Sequence, residues 1–155
     1  ERLAATGRRV RFVHIIDAAV AHMLRMCAPG SRVGLMCTVA TLRTRLYQDA
    51  LEQAGLVPVI PDDEGCARVQ DAISNREYGI KASSHPVSPE ARDILCQAAR
   101  GLAEKGVEAI LLGCTEIPLA LTESSLFGVP VVDATSVLAQ ALIRACDPEK
   151  LRFPE

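Results

Sequence analysis

The sequence predicts an α/β domain: a parallel sheet flanked by helices, the flavodoxin-like arrangement. Three observations carry that expectation. Short apolar runs at 32–37, 56–60, 107–112 and 129–132 alternate with longer stretches of helical periodicity. Beyond Arg32 and Glu108 near their starts, the runs carry no charged residue and do not alternate, as in strands covered on both faces. Breaking residues punctuate the joints: Pro29-Gly30, Gly55 and Gly106 after helices and Pro61 after a strand.

The elements follow in order. Arg8, Arg9 and Arg11 precede Phe12-Val13, a basic linker leading into a short strand. Ile16, Ala19, Val20, Met23, Leu24 and Cys27 form one helical stripe, opened near Asp17 and ended at Pro29-Gly30. The strand at 32–37 leads to a polar loop, Thr38 to Thr41, with Thr41 placed to cap the helix after it. That helix buries Leu42, Leu46, Ala50, Leu51 and Ala54. A strand at 56–60 stops at Pro61. Asp62, Asp63 and Glu64 then crowd a helix start, where acidic groups suit the dipole, and this helix runs to about Tyr78. The break at 79–89 ends where Pro89 opens a helix with Ala91, Ile94, Leu95, Ala98, Ala99, Leu102 and Ala103 on one face. The strand at 107–112 meets a short helix through Gly113-Cys114-Thr115-Glu116. The strand at 129–132 and a helix at 135–146 close the pattern, and a loose tail begins at Asp147. Right-handed crossovers place the loops at 38–41, 61–64 and 113–116 on one rim.

Composition narrows the function. Among 155 residues, 49% are hydrophobic and 23% charged, which excludes disorder. Net charge is −2, with 3% aromatics, so both the basic patch and the stacking platform of a nucleic-acid binder are missing. No apolar run reaches the ~18 residues of a membrane span and no secretory pattern opens the chain. The six cysteines include no C-x-x-C and no histidine at ligand spacing, which argues against a metal site. Their dispersal suits a reducing cytoplasm.

Cys114 is the leading candidate for chemistry. It stands where a buried strand passes to a helix, the ligand crevice of open α/β sheets. The unpaired N–H groups of a helix start favour its thiolate, and Thr115 offers a hydroxyl cap. Cys27, Cys37 and Cys66 read as core residues, whereas Cys96 falls on a polar helix face and Cys146 near the end. Lys81, taken by itself, is a solvated surface lysine.

At Leu112-Gly113-Cys114-Thr115-Glu116-Ile117-Pro118 the chain resembles the aspartate/glutamate/hydantoin racemase superfamily, in its aspartate racemase branch. Two further segments share that likeness, in the family's order. They are Val33-Gly34-Leu35-Met36 with Thr38, Thr41 and Leu46-Tyr47-Gln48, and Val59-Ile60-Pro61-Asp62-Asp63-Glu64 followed by Gly79-Ile80-Lys81-Ala82. The resemblance implies two-base proton exchange at an amino acid's α-carbon, with neither cofactor nor metal. A thiolate takes the proton on one face and an opposing thiol delivers one on the other. It implies that Cys114 is the second of two cysteines, that Thr115 and Lys81 hold substrate carboxylates, and that Thr38 and Thr41 belong to the pocket. Glu116 stands where the glutamate racemase branch has a histidine, which favours an aspartate-like or broader specificity.

One departure accompanies the match. The family's first cysteine, in a Pro-Cys-Asn-Thr-like segment, has no counterpart here, and the chain starts at Glu1 without a methionine. The expectation is a carboxyl-terminal portion: a linker at 1–12, a racemase-like domain at 13–128, and a strand and helix at 129–155 packing on the missing first half. Its partners would be a small amino-acid substrate and either that first half or a second copy of the chain. Two other functions stay open: a non-catalytic carboxylate-binding domain keeping Lys81 and Thr115, and a thiol-redox protein using Cys114.

Overall fold

The computed structural model describes residues 12–151. Its first helix, α1 (Ile15–Met26), buries Ile16, Ala19, Val20 and Met23, and Cys27 follows into the core. Leu24, expected in that stripe, is 47% exposed because its angular position lies beyond the buried arc. Phe12-Val13 forms no strand, and the arginines before it lie outside the described residues.

Strand β1 (Arg32–Met36) is buried from Val33 onward. The helical stretch after it is broken in two, α2 (Val39–Arg43) and α3 (Leu46–Gln53), where Arg45 takes a left-handed conformation (φ 52°). The break rotates the second piece, so Tyr47, Gln48 and Leu51 face inward and Leu46 is 53% exposed rather than buried. Thr38, not Thr41, caps α2: its Oγ1 accepts the Thr41 N–H at 3.2 Å. Edge strand β2 (Val57–Val59) is only half-buried. Asp62 caps α4 (Asp63–Ser74) by accepting the Gly65 N–H at 2.8 Å.

Helix α4 ends four residues short of Tyr78. Asn75 leaves the helical conformation, and the Ile80 and Lys81 N–H groups donate to the Ala72 and Ile73 carbonyls at 2.9 and 3.0 Å. Those bonds satisfy carbonyls that a helix end leaves open. Ser88 caps α5 (Pro89–Glu104), whose buried face is Ala91, Leu95, Ala99 and Leu102. Strand β3 (Ala109–Leu112) is buried throughout and leads to a single-turn helix, α6 (Ile117–Ala120). Strands β4 (Ser125–Leu126) and β5 (Val129–Asp133) pair antiparallel, a hairpin the apolar pattern did not announce. Asp133 caps α7 (Ala134–Cys146) through the Thr135 and Ser136 N–H groups, and a 3-10 turn spans Pro148–Lys150.

The strand order is β2-β1-β3-β5-β4, with every pair parallel except β4–β5. One face of the sheet carries α1, α3 and α7 over Val33, Leu35, Leu111 and Val132. The other carries α4, α5 and α6 over Met36, Ile110 and Leu112. The chain leaves β1 toward the first face and β3 toward the second, so a crevice opens at the carboxyl ends of these adjacent strands. Strand β5 belongs to the same sheet and α7 packs on α1. The outer side of α7 leaves Leu142 and Ile143 exposed among the described residues.

Leu95 of α5 is fully buried against that second face. Leu95→Ala should cost about 2–5 kcal/mol, read from the urea midpoint; an unchanged midpoint would contradict this packing.

Candidate functional site

The crevice is built from three turns. Thr38 and Thr41 follow β1, Gly113-Cys114-Thr115-Glu116 follows β3, and Asp133 ends β5. The first two are tied edge to edge by the Gly113 N–H, which donates to the Met36 carbonyl at 2.8 Å. Gly113 is glycine for space: a Cβ there would stand 2.9 Å from Tyr47 Cε2 and 3.3 Å from Cys37 Cβ. The close approach packs the Tyr47 ring against Gly113, next to Cys114.

Cys114 is half-buried and packs partly against both faces' cores, as a residue at the switch point must. Its Sγ donates to Glu116 Oε2 at 3.0 Å. The same oxygen accepts the Thr115 hydroxyl at 2.9 Å, and Lys81 Nζ lies 3.7 Å from Glu116 Oε1. Four of the expected site residues therefore form one linked group with Glu116 at its centre. Thr38 and Thr41 form a separate pair, Oγ1 to Oγ1 at 2.9 Å, on the neighbouring turn.

Two expectations about this turn are corrected. Thr115 does not cap the helix; Glu116 is the capping residue, without a side-chain bond to the backbone, and Thr115 turns its hydroxyl to Glu116. The thiolate is not favoured either. Burial, and then hydrogen bonding and proximity to the Glu116 carboxylate, push Cys114 up to about 11. The N–H groups of Glu116 and Ile117 pull the other way, as a helix start should, but a one-turn helix supplies too little. Glu116 is correspondingly lowered, chiefly by the Cys114 S–H. At neutral pH the pair is a thiol and a carboxylate.

The other cysteines divide. Cys27 and Cys37 are core residues as expected. Cys66 is only half-buried, its S–H directed at the Pro61 carbonyl at 3.4 Å. Cys96, expected on a polar face, is half-buried against the core under α5. Cys146 is exposed. Sequence reasoning missed Tyr47 as a site neighbour, although its place in the Leu46-Tyr47-Gln48 segment could have marked it. Burial, with Cys37, Cys114 and Asp133 close by, pushes Tyr47 up to about 12.

Alkaline stability follows from these values. Burial pushes Cys37 up to about 12 against an ordinary value near 9, and Cys114 to about 11. A raised folded value contributes stability that is complete below the unfolded value and lost as pH rises through the folded one. The melting temperature should therefore fall from about pH 9 upward, and Cys114→Ser should flatten part of that slope. Equal melting temperatures at pH 8 and pH 11 would contradict it.

Two cavities formed by the described residues lie outside the Cys114 group, the larger at the β5 edge of the crevice, where Leu112, Pro118 and Asp133 line it. One of about 250 Å³ sits between α4 and α5, and one of about 480 Å³ lies beside β5; Cys114 lines neither. The Cys114 group is thus an open rim, with Lys81 more than half exposed. Among the described residues, no cluster of three or more His, Cys, Asp or Glu could hold a metal, and no helix is long and apolar enough to cross a membrane.

The description of the Asp/Glu/hydantoin racemase family matches residues 5–142. An uncharacterised protein from the pnlA 3′ region of Pectobacterium carotovorum is 36% identical over 118 residues, 74% of this chain and 71% of that protein. A glutamate racemase of Deinococcus radiodurans is 33% identical over 86 residues, covering 56% of this chain and 27% of the enzyme. The solved aspartate racemase of Picrophilus torridus superposes with a TM-score of 0.70 at 27% identity, covering 88% of this chain and 53% of that one. The chain spans about half the length of that solved racemase.

Proposed function

We propose that this chain, which belongs to the Asp/Glu/hydantoin racemase family, carries one half of a cofactor-independent amino-acid racemase site. The first half, with the opposing cysteine, docks against this one and covers the exposed side of α7, where Leu142 and Ile143 lie. The substrate is an amino acid of the aspartate or glutamate type.

The observation that supports this reading best is the convergence of Cys114, Thr115, Glu116 and Lys81 at the carboxyl edge of the central strand. The substrate's α-carbon is a weak acid, and its carbanion needs charge stabilisation in a site shielded from water. Lys81 and the Thr115 hydroxyl supply a cation and a donor for carboxylates. Cys114 enters as a thiol, the form that delivers a proton to the carbanion. Its thiolate takes over the abstracting role after the S–H has released its proton to water, a loss favoured once Glu116 no longer faces the sulfur and a cationic substrate ammonium does. The docked first half supplies the shielding that an open rim lacks.

Deuterium entry at Cα of aspartate and glutamate in D2O tests the reading. The chain alone should exchange the Cα proton of one enantiomer slowly, with retention, and should invert it only with the complementary half present. Full-rate racemisation by the 155-residue chain alone would refute the half-site. Lys81→Ala should weaken substrate binding roughly 10- to 100-fold, the range for a lost hydrogen bond to a charged group, as read by titration calorimetry. One observation favours a second reading, a carboxylate-binding domain without catalysis: a thiol raised to about 11 is a poor base. Thermal stabilisation by aspartate with no deuterium entry, even with the first half present, would establish it instead.

A further inference from the structure

We propose that the Glu116 carboxylate is the resident occupant of the carboxylate subsite, so that a substrate binds by exchanging its own carboxylate for that of Glu116. The inference rests on the racemase reading, which assigns Cys114, Thr115 and Lys81 to the substrate. All three converge on this one side chain. Oε2 accepts the Cys114 S–H at 3.0 Å and the Thr115 O–H at 2.9 Å, while Oε1 faces Lys81 Nζ at 3.7 Å. Helix capping does not account for the arrangement, because Glu116 makes no side-chain bond to the start of α6. Its carboxylate instead folds back over the two residues before it.

Each of these contacts can be handed over. Lys81 is 56% exposed and Glu116 28%, and a pair so open to water holds its partners weakly. The thiol and hydroxyl are rotors that donate to whichever carboxylate oxygen stands in that place. A substrate carboxylate offers the same acceptors, with the same charge facing Lys81. Until the exchange, the Cys114 proton is held by a group that is not the substrate, so the thiol stays quiescent. The exchange also explains why three separate groups face one carboxylate of the same chain: that carboxylate occupies the subsite.

Succinate, a dicarboxylate with no exchangeable α-amino carbon, is the probe, and titration calorimetry on the whole chain is the readout. Glu116→Gln keeps the shape and removes the charge. Succinate should bind this variant at least tenfold more tightly than the wild type, and Lys81→Ala should weaken binding in both backgrounds. Glu116→Ala, which empties the subsite, should move in the same direction. Iodoacetamide should alkylate Cys114 severalfold faster at pH 8 in Glu116→Gln. The other titratable groups facing the sulfur, Cys37 after β1 and Tyr47 on α3, are unchanged there. Equal or weaker succinate binding by both Glu116 variants would overturn the exchange; the racemase reading survives if Lys81→Ala still weakens the wild type. Absence of succinate binding to every protein, with deuterium entry still observed, would overturn the exchange alone. Absence of both overturns the two readings together.

Discussion

Cys114→Ala is expected to lower deuterium entry at the substrate α-carbon by about 10²- to 10⁴-fold, the contribution of a positioned acid or base. No other described thiol shares its place. Cys37, the cysteine nearest in the fold, is 1% exposed beneath it and pushed up to about 12. The variant should remain folded, because Cys114 is only half-buried and alanine fits the same turn. The wild-type rate should carry the signature of a thiol held at about 11. Below that value the thiolate fraction rises about tenfold per pH unit, so exchange should climb with the same slope from pH 7 to pH 10. Substrate binding that displaces Glu116 would shift the climb to lower pH. A rate indifferent to both pH and Cys114 would remove the sulfur from the chemistry.

Gly79→Ala should destabilise the chain by about 3 kcal/mol, at the upper end of overpacking costs, and should weaken carboxylate binding as well. A Cβ at Gly79 would lie 2.5 Å from both the backbone nitrogen and the carbonyl oxygen of Asn75. Backbone atoms cannot rotate aside as a side-chain tip can, so the segment itself must move. That segment holds two things in register. Ile80 is 1% exposed in the core, and the Lys81 N–H closes the end of α4 on the Ile73 carbonyl. A displaced Gly79 therefore loosens the core and moves the cation facing Glu116. The melting temperature should drop by on the order of 10 °C. Gly101→Ala is the control: nothing stands within 4 Å of that position in α5, and alanine should be neutral or favourable there. Equal melting temperatures for the two variants would show that Gly79 is not packed this tightly.

Much of the fold was legible because its signals are local. Ala91, Leu95, Ala99 and Leu102 recur at helical spacing, and α5 buries those four. The run Ala109 to Leu112 is apolar without alternation, and it became the strand buried on both faces. Signals failed where a backbone kink intervened. Leu42 through Ala54 read as one helix, yet the left-handed Arg45 splits it and turns Leu46 outward. The α4 boundary was misplaced because no Gly or Pro stands between Ser74 and Tyr78, while the stop is set by carbonyls accepting from Ile80 and Lys81. The β4–β5 hairpin was invisible because β4 has two residues and one is exposed.

For the site, the chain's order of residues determined the place of Cys114 at a strand-to-helix joint and the motif company of Thr115, Glu116 and Lys81. Those are properties of neighbours in sequence and of a periodicity that one chain displays. Only the tertiary structure decided the protonation of the thiol and the centre of the group. The turn's helix is one turn long, the sulfur is half sunk between two cores, and a carboxylate two residues away faces it, so burial and like charge outweigh the backbone N–H groups. The 34 residues between Lys81 and Glu116 carry no periodic sign that the two would meet, and only the family likeness set both beside the substrate; the crossover that brings them within 3.7 Å is a product of packing.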